Sequence, residues 1–348
     1  MNAVAPGSAR QPGALSIVIK AFNEEAKIAR AIESALAAAA ELQPRAVEVV
    51  VADSCSTDRT AAIACAYPVR LVQLAHARER GCGIGQQLGY AWSRGDWVCF
   101  MDGDMALSSG FLADALARLE QDDTLAGVGG AVIDERIANV VDRIRVNNRS
   151  GMRVGVVAWL NGSGLYRRSA IEAAGGYAAD RNLKAHEEAE LGLRLHAAGY
   201  RLERLARQAV SHVGHASGTW SLLGRHWRSG RAMAAGVLLR SAIGRPWFRR
   251  VLWIHRHALA TVLYWLLLPL GLWLVPPAAR VALAGAWLGG WAALLLLLAC
   301  LKRDLQHAVV SLASWHYVAA AIVVGCFEPH LSPRQPIDAT LLNDEGHA

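Results

Sequence analysis

Over the first two hundred residues, short apolar runs rich in β-branched side chains alternate with stretches of helical period. Residues 15–19, 47–52, 70–74 and 97–101 read as buried strands. Between them, 24–40, 57–66 and 85–93 read as helices. Ser56 or Thr57 is the expected N-cap of the second, with Asp58 in its first turn. This alternation predicts an α/β fold with a mostly parallel mixed sheet. Sheets of that kind take ligands beyond the carboxyl ends of their strands.

The pattern then changes twice. Residues 204–256 contain no Asp or Glu, and Arg225, Arg228, Arg231, Arg240, Arg245, Arg249 and Arg250 are interleaved with Trp220, Trp227, Trp247 and Trp253. Arginine with indole suits an interfacial helical region that meets anionic headgroups. After it come three uncharged apolar stretches, 258–275, 281–301 and 308–327, each near the ~20 residues that cross a bilayer as a helix. Arg249, Arg250 and Arg256 precede the first, Arg280 follows it, and Lys302 and Arg303 precede the third. The segment beyond carries Glu328, Asp338, Asp344 and Glu345 against Arg334. Read by the distribution of positive residues, this predicts a cytoplasmic N-terminal domain, three spans and an external C-terminus. The expected division is a flexible tail at 1–14, a catalytic domain at 15–215, the basic region at 216–257, membrane helices within 258–327, and a second tail at 328–348.

Composition narrows the class. Of 348 residues, 53% are hydrophobic and 19% charged, which excludes a disordered chain. The net charge of +7 is localised beside the apolar stretches, so no nucleic-acid partner is expected. Six cysteines form no CxxC pair, which gives neither a zinc nor a redox motif and predicts reduced thiols in the core. The first residues lack the apolar stretch of a secretory signal.

Three constellations carry chemistry. Asp102-Gly103-Asp104 follows the fourth strand, and two carboxylates at i and i+2 in a turn suit a divalent cation with positions open to phosphate oxygens. Asp53 ends the second strand, where it is placed to accept hydrogen bonds from a ribose or base. Glu187, Glu188 and Glu190 open a helix. Their mutual repulsion requires a cation or a substrate to answer it, unless they form a solvated helix start.

Taken in order, Ile17-Val-Ile-Lys-Ala-Phe-Asn-Glu-Glu25, Ala52-Asp-Ser-Cys-Ser-Thr-Asp-Arg-Thr60, Phe100-Met-Asp-Gly-Asp104, Asn161-Gly-Ser-Gly-Leu-Tyr-Arg-Arg168, Gly175-Gly-Tyr177 and Glu187-Glu-Ala-Glu-Leu191 resemble the family 2 glycosyltransferases of GT-A fold, over roughly residues 15–215. The resemblance implies sugar transfer with inversion from a nucleotide-sugar donor, using Mg2+ or Mn2+. By position it implies that Phe22, Glu24, Asp53 and Arg80 bind the donor. Asp102 and Gly103 lie against the donor, Asp102 and Asp104 hold the metal with His212 near it, and Glu188 is the catalytic base beside Glu187. Lys20 stands in place of a usual proline, Ser54 in place of a common aspartate, and Glu188 where aspartate is more usual. No QxxRW motif of processive synthases is found. An anionic polyprenyl phosphate needs no base, so the Glu187-Glu188 pair favours a hydroxyl acceptor on a lipid or glycan of envelope or exopolysaccharide biosynthesis. The alternatives are a polyprenyl-phosphate glycosyltransferase and a non-catalytic nucleotide-sugar-binding membrane subunit. The expected place is the cell inner membrane, with the catalytic domain in the cytoplasm.

Overall fold

The computed structural model describes residues 10–135, 153–214 and 218–345. Residues 1–9 of the expected tail and the expected boundary at 215–216 lie outside them. The chain divides into two compact units: one runs to Arg225 and resumes at His330, and the other is His226–Pro329.

The first unit contains a ten-stranded sheet. Its strands are β1 (Gln11–Ala21), β2 (Val47–Asp53), β3 (Arg70–Leu74), β4 (Gly95–Asp102), β5 (Met105–Leu107), β6 (Leu125–Asp134), β7 (Gly155–Val157), β8 (Gly164–Arg167), β9 (Arg201–His212) and β10 (Ala339–Asp344). Its helices are α1 (Ile28–Glu41), α2 (Thr60–Ala64), α3 (Cys82–Trp92), α4 (Phe111–Glu120), α5 (Arg168–Ala173) and α6 (Glu187–Ala197). The order is β10-β3-β2-β1-β4-β8-β6-β9-β5, with β7 on β9.

Strand residues alternate between two apolar layers, as the period of two requires. Ile17, Ile19, Val49, Val51 and Leu71 face a core shared with α1 and α4. Val18, Val50, Val72, Val98 and Phe100 face one that takes in Ile84 and Leu88 of α3 and Leu191 and Leu195 of α6. Burial on both faces explains why these strands read as continuous apolar runs. A Cβ at Gly89 would lie 2.2 Å from Val18 Cγ1, so that glycine lets α3 lie directly on β1. The run β3-β2-β1-β4, in which a helix separates consecutive strands, is parallel. Elsewhere only β6–β9 is parallel, and the other pairings are antiparallel. The sheet is therefore mixed, and its parallel part is confined to the crossover region.

Three local expectations change. The first strand begins at Gln11, not at residue 15, because Gln11 N–H bonds the Arg94 carbonyl (3.1 Å) and Gly13 N–H bonds Asp96 (2.8 Å). The second helix begins at Thr60 without a side-chain cap, since Ser56 and Thr57 turn to the loop after β1. The third change concerns the C-terminus. Residues 330–344 are not a free tail: Leu331 N–H bonds Asn182 (2.8 Å), Arg334 bonds the Gly175 carbonyl (2.6 Å), and Arg181 bonds the Gln335 and Pro336 carbonyls. Ile337 and Ala339 enter the second core layer. β10 then pairs antiparallel with β3, where Asp344 meets Arg70 at 2.7 Å. The expected separation of the N-terminal domain and the C-terminus to opposite sides of a membrane does not fit, because this segment is a strand of the N-terminal domain's own sheet. Two of its acidic residues are answered there, Asp344 by Arg70 and Asp338 by His76.

Helix α7 (Thr219–Arg228) runs across the division. The second unit contains α8 (Ala234–Ser241), α9 (Phe248–Ile254), α10 (Arg256–Leu274), α11 (Arg280–Lys302) and α12 (Leu305–Gly325). The last three are long and apolar enough to cross a membrane.

Candidate active site

The site forms where β1 and β4 end side by side, with Lys20 paired to Asp102 in register. Two loops are fastened together above them. Asn23, in the left-handed backbone region at φ 55°, accepts from Thr57 N–H (2.8 Å), and its own N–H donates to Ser56 Oγ (2.9 Å). Glu24 N–H donates to Thr60 Oγ1 (2.7 Å), and Glu25 N–H to Asp58 (3.2 Å). Cys55 and His186 also have positive φ, 56° and 67°. Strained backbone of this kind persists where surrounding contacts over-determine it.

Phe22 is 43% exposed, with the Arg80 guanidinium 4.7 Å over its ring. Arg80 also donates to the carbonyls of Ser54 (3.0 Å) and Cys55. Asp53 is fully buried and accepts from Ser56 N–H (3.0 Å), Ser56 Oγ and Gln73 (2.8 Å). It shapes this loop and keeps some acceptor capacity.

Below lies a charge cluster. Lys20 Nζ sits 3.1 Å from Asp102 Oδ1 and 3.8 Å from Glu188 Oε1, and it bonds Glu187. Lys27 lies 2.9 Å from Glu24 and 3.7 Å from Asp104. The repulsion expected at the start of α6 is thus answered within the protein. Lys20 neutralises Glu187, and Arg194 takes Glu190 at 2.7 Å while stacking 3.8 Å over Tyr177. Burial alone would lower the Lys20 pKa, but Asp102, Glu187 and Glu188 together hold it well above the ordinary value. Burial raises Glu188, as does Glu187, against the opposing pull of Lys20, and its carboxyl is pushed up to about 7. Burial likewise raises Asp102 and Glu24.

Gly162 faces both acids. A Cβ there would lie 3.3 Å from Asp102 Oδ2 and 3.5 Å from Glu188 Oε1, so a glycine keeps the floor between them open. Gly103 performs a similar service beneath the loop: its N–H donates to the Lys20 carbonyl (2.9 Å), and a Cβ would meet Ala21 and Glu24. Arg204 on β9 bonds the Trp159 carbonyl and Asn161 (both 3.4 Å), holding the strand of chain that carries Gly162.

His212 bridges two carboxylates, with Nε2 3.3 Å from Asp104 and Nδ1 2.6 Å from Asp134. The Asp104 hydrogen bond raises its pKa most, Asp134 adds to that, burial opposes, and it is pushed up to about 9. An imidazole oriented by one carboxylate and aimed at another is a donor pair that suits a divalent cation, which would displace the proton between His212 and Asp104. Among the described residues, no three His, Cys, Asp or Glu side chains converge on one point. Remaining coordination positions would fall to phosphate and water, an open arrangement.

The structure thus gathers Glu24, Asp102, Gly103, Asp104, Glu187, Glu188 and His212 into one cluster, with Phe22, Asp53 and Arg80 in the adjoining loops. Sequence reasoning passed over Asp134, Lys27 and the role of Gly162. Asp134 is directly opposite His212 in the β6–β9 register, a long-range pairing that the local pattern does not carry.

A parallel sheet segment with acids at its strand ends and loops fastened above them defines a GT-A domain, the fold of one large class of glycosyltransferases. Residues 16–169 match the family described as Glycosyl transferase family 2. The chain is 42% identical over 93 residues to the succinoglycan biosynthesis protein ExoO of Rhizobium meliloti (strain 1021). That match takes in 26% of this chain and spans a quarter of the relative's length. The fold is similar to that of the mannosyltransferase PcManGT from Pyrobaculum calidifontis, solved with GDP-Man and Mn2+ (TM-score 0.55, 22% identity, 90% of this chain and 87% of that one). It is also similar to that of residues 1–349 of S. aureus TarS, solved with UDP-GlcNAc (TM-score 0.51, 16% identity, 90% and 89%).

Proposed function

We propose that the protein is a membrane-anchored inverting glycosyltransferase that moves a sugar from a nucleotide-diphosphate sugar to a hydroxyl of a lipid or glycan acceptor. The observation that carries this reading is the facing of Glu188 and Asp102 across Gly162, in a buried charge cluster at the strand ends. Phe22 and Arg80 offer a stacking face for a base, with Asp53 beneath. Lys20 fixes Glu187, which makes Glu187 a positioning residue and leaves Glu188, 25% exposed, as the base. The acceptor O–H proton passes to Glu188 and the oxygen attacks the anomeric carbon. The bond to the diphosphate breaks with its electron pair on the leaving group. Asp104 and His212, with Asp102 beside them, would hold Mg2+ or Mn2+, which when bound neutralises that leaving group. The name of the R. meliloti relative supports an acceptor of exopolysaccharide biosynthesis. The apolar helices and the basic Arg/Trp region support a place at the inner membrane with the catalytic domain in the cytoplasm.

The test is nucleoside diphosphate release from a panel of UDP-, GDP- and dTDP-sugars by the full chain, with and without chelator. Glu188→Gln and Asp104→Ala should each lower release by about two to four orders of magnitude. Near-normal turnover in either refutes the assignment. Labelled sugar in a mild-acid-labile lipid phosphate would point to a polyprenyl-phosphate acceptor instead.

A further inference from the structure

The three apolar helices invite a three-span reading, but the sheet does not permit it. The chain leaves the catalytic unit after Arg225 and returns to it at His330. The returning segment is built into the domain: Ala75 N–H bonds the Asp338 carbonyl (2.9 Å), and β10 pairs with β3 from Ala339 to Asp344. A folded sheet lies on one side of a bilayer, because its backbone groups and charged residues have no place in hydrocarbon. Whatever runs between Arg225 and His330 therefore crosses an even number of times. Three crossings would place β3 and β10 on opposite sides.

Packing inside the second unit says which helices cross. Helices α10 and α11 pair antiparallel along their length. A Cβ at Gly271 would meet Leu283, and one at Gly290 would meet the Tyr264 hydroxyl. Tyr264 donates to the Trp287 carbonyl (2.8 Å), and Trp287 Nε1 returns a bond to the Tyr264 carbonyl (2.9 Å). In that register the end of α11, with Lys302 and Arg303, lies level with the start of α10 at Arg256. At 1.5 Å per residue the two helices are about 28 and 34 Å long, which matches a hydrocarbon core of about 30 Å. Pro276, Pro277 and Arg280 form the far turn.

Helix α12 behaves differently. Ser311 bonds Lys302 (3.0 Å), and Trp315 stacks on His257 at 4.7 Å. His316 packs on Trp265 and Trp291 at 5.7 and 4.3 Å, and Ala319 and Ile322 join Ala258 and Ala235. Apart from Ala235 of α8, these partners belong to 257–265 and 291–302, the half of the hairpin next to its charged end. The helix then finishes on α8, in the basic segment. A Cβ at Gly325 would lie 2.1 Å from the Met233 carbonyl oxygen, and Arg240 donates to the carbonyls of Cys326 (3.0 Å) and Glu328. Both ends of α12 are thus beside arginines and lysines on the side from which the chain enters.

We propose that a lipid bilayer is crossed twice, by the α10–α11 hairpin alone, and that α12 lies across the base of that hairpin on the side of the catalytic domain. The inference rests on the membrane reading of the apolar helices and adds to it the number and identity of the crossings. Arg249, Arg250, Arg256, Lys302 and Arg303 then share one side and Arg280 the other, which agrees with the bias of positive residues toward the cytoplasm.

The test uses a membrane-impermeant polyethylene-glycol maleimide on intact spheroplasts expressing the full chain, with each labelled cysteine read as one gel shift. The wild type is the control, since its cysteines, Cys326 after α12 included, are all sheltered in this topology. Ala278→Cys, at the exposed far turn, should shift from outside. Ser332→Cys, in the exposed segment after α12, should shift only after permeabilisation. A shift of Ser332→Cys in intact spheroplasts overturns the proposal, as does retention of the protein in carbonate-washed membranes with Ala278→Cys unlabelled. Release of the chain by carbonate would defeat the membrane reading itself, and the proposal with it.

Discussion

Replacing Lys20 by Met removes the one cation that touches three carboxylates of the site while keeping the length of the side chain. The Nζ lies 3.8 Å from Glu188, and a unit charge at that distance in an effective dielectric near 20 is worth about 4 kcal/mol. At about 1.4 kcal/mol per unit, this is a ceiling of about three pKa units. Glu188 is 25% exposed, so water recovers part of the loss, and an upward shift of about one to two units is expected. Glu188 starts near 7, and in the proposed mechanism it works as the carboxylate. A higher pKa therefore moves the acidic limb of kcat/KM for nucleoside diphosphate release toward alkaline pH. At pH 7 the variant should be about five- to fiftyfold slower than wild type, and the deficit should shrink to about twofold or less by pH 9. Stability should fall by about 3 kcal/mol, because Glu187 is left buried beside Asp102 without its cation. The pH profile separates this from simple damage. A variant slower by one constant factor from pH 6 to 9 refutes the role given to Lys20.

Three further outcomes can be checked. Gly162→Val should lower kcat about a hundredfold with a melting temperature within a few degrees of wild type, because its side chain would fill the 3.3–3.5 Å gap to Asp102 and Glu188; a comparable loss of stability and activity counts against this reading. His212 is raised to about 9, so its pairing contributes stability that is complete below pH 6.5 and is lost as pH rises through 9. This is of order 3 kcal/mol, and denaturant midpoints of His212→Gln in the metal-free protein should lack that decline. Arg70→Met should destabilise the detergent-solubilised chain by about 3–5 kcal/mol, since it strands Glu48, bonded at 2.9 Å in a fully buried pair; a melting temperature unchanged within a degree contradicts that.

Much of the site was legible because it is written in short runs. The strands 47–52 and 70–74 match β2 and β3 nearly residue for residue, since β-branched runs buried on both faces leave little choice of structure. Asp102 and Asp104 follow directly from the end of such a strand. The N-cap expected of Ser56 or Thr57 does not form, for the opposite reason. Their hydroxyls serve equally as a local cap or as a tie to another loop, and Asn23, some thirty positions away, decides between the two. Lys27 and Asp134 fall in the same class: each gains its meaning from a carboxylate or imidazole brought near by the sheet.

The C-terminal segment shows how a local signal can be read correctly and assigned to the wrong cause. Glu328, Asp338 and Asp344 do make the region after α12 acidic, and a charge rule for membrane sides takes that as a mark of the outer face. The rule assumes that loop charges have no partner but the membrane potential and the insertion machinery. Here Asp344 answers Arg70, a guanidinium buried at the sheet edge that Glu48 alone does not saturate, and Asp338 lies 3.5 Å from His76. These two aspartates are answered by residues more than 250 positions upstream, beyond the reach of any window on the sequence. Once those partners are assigned, two of the four acidic residues no longer argue for an outer location. The topology is then decided by strand pairing, which requires both ends of the apolar segment to meet on one side.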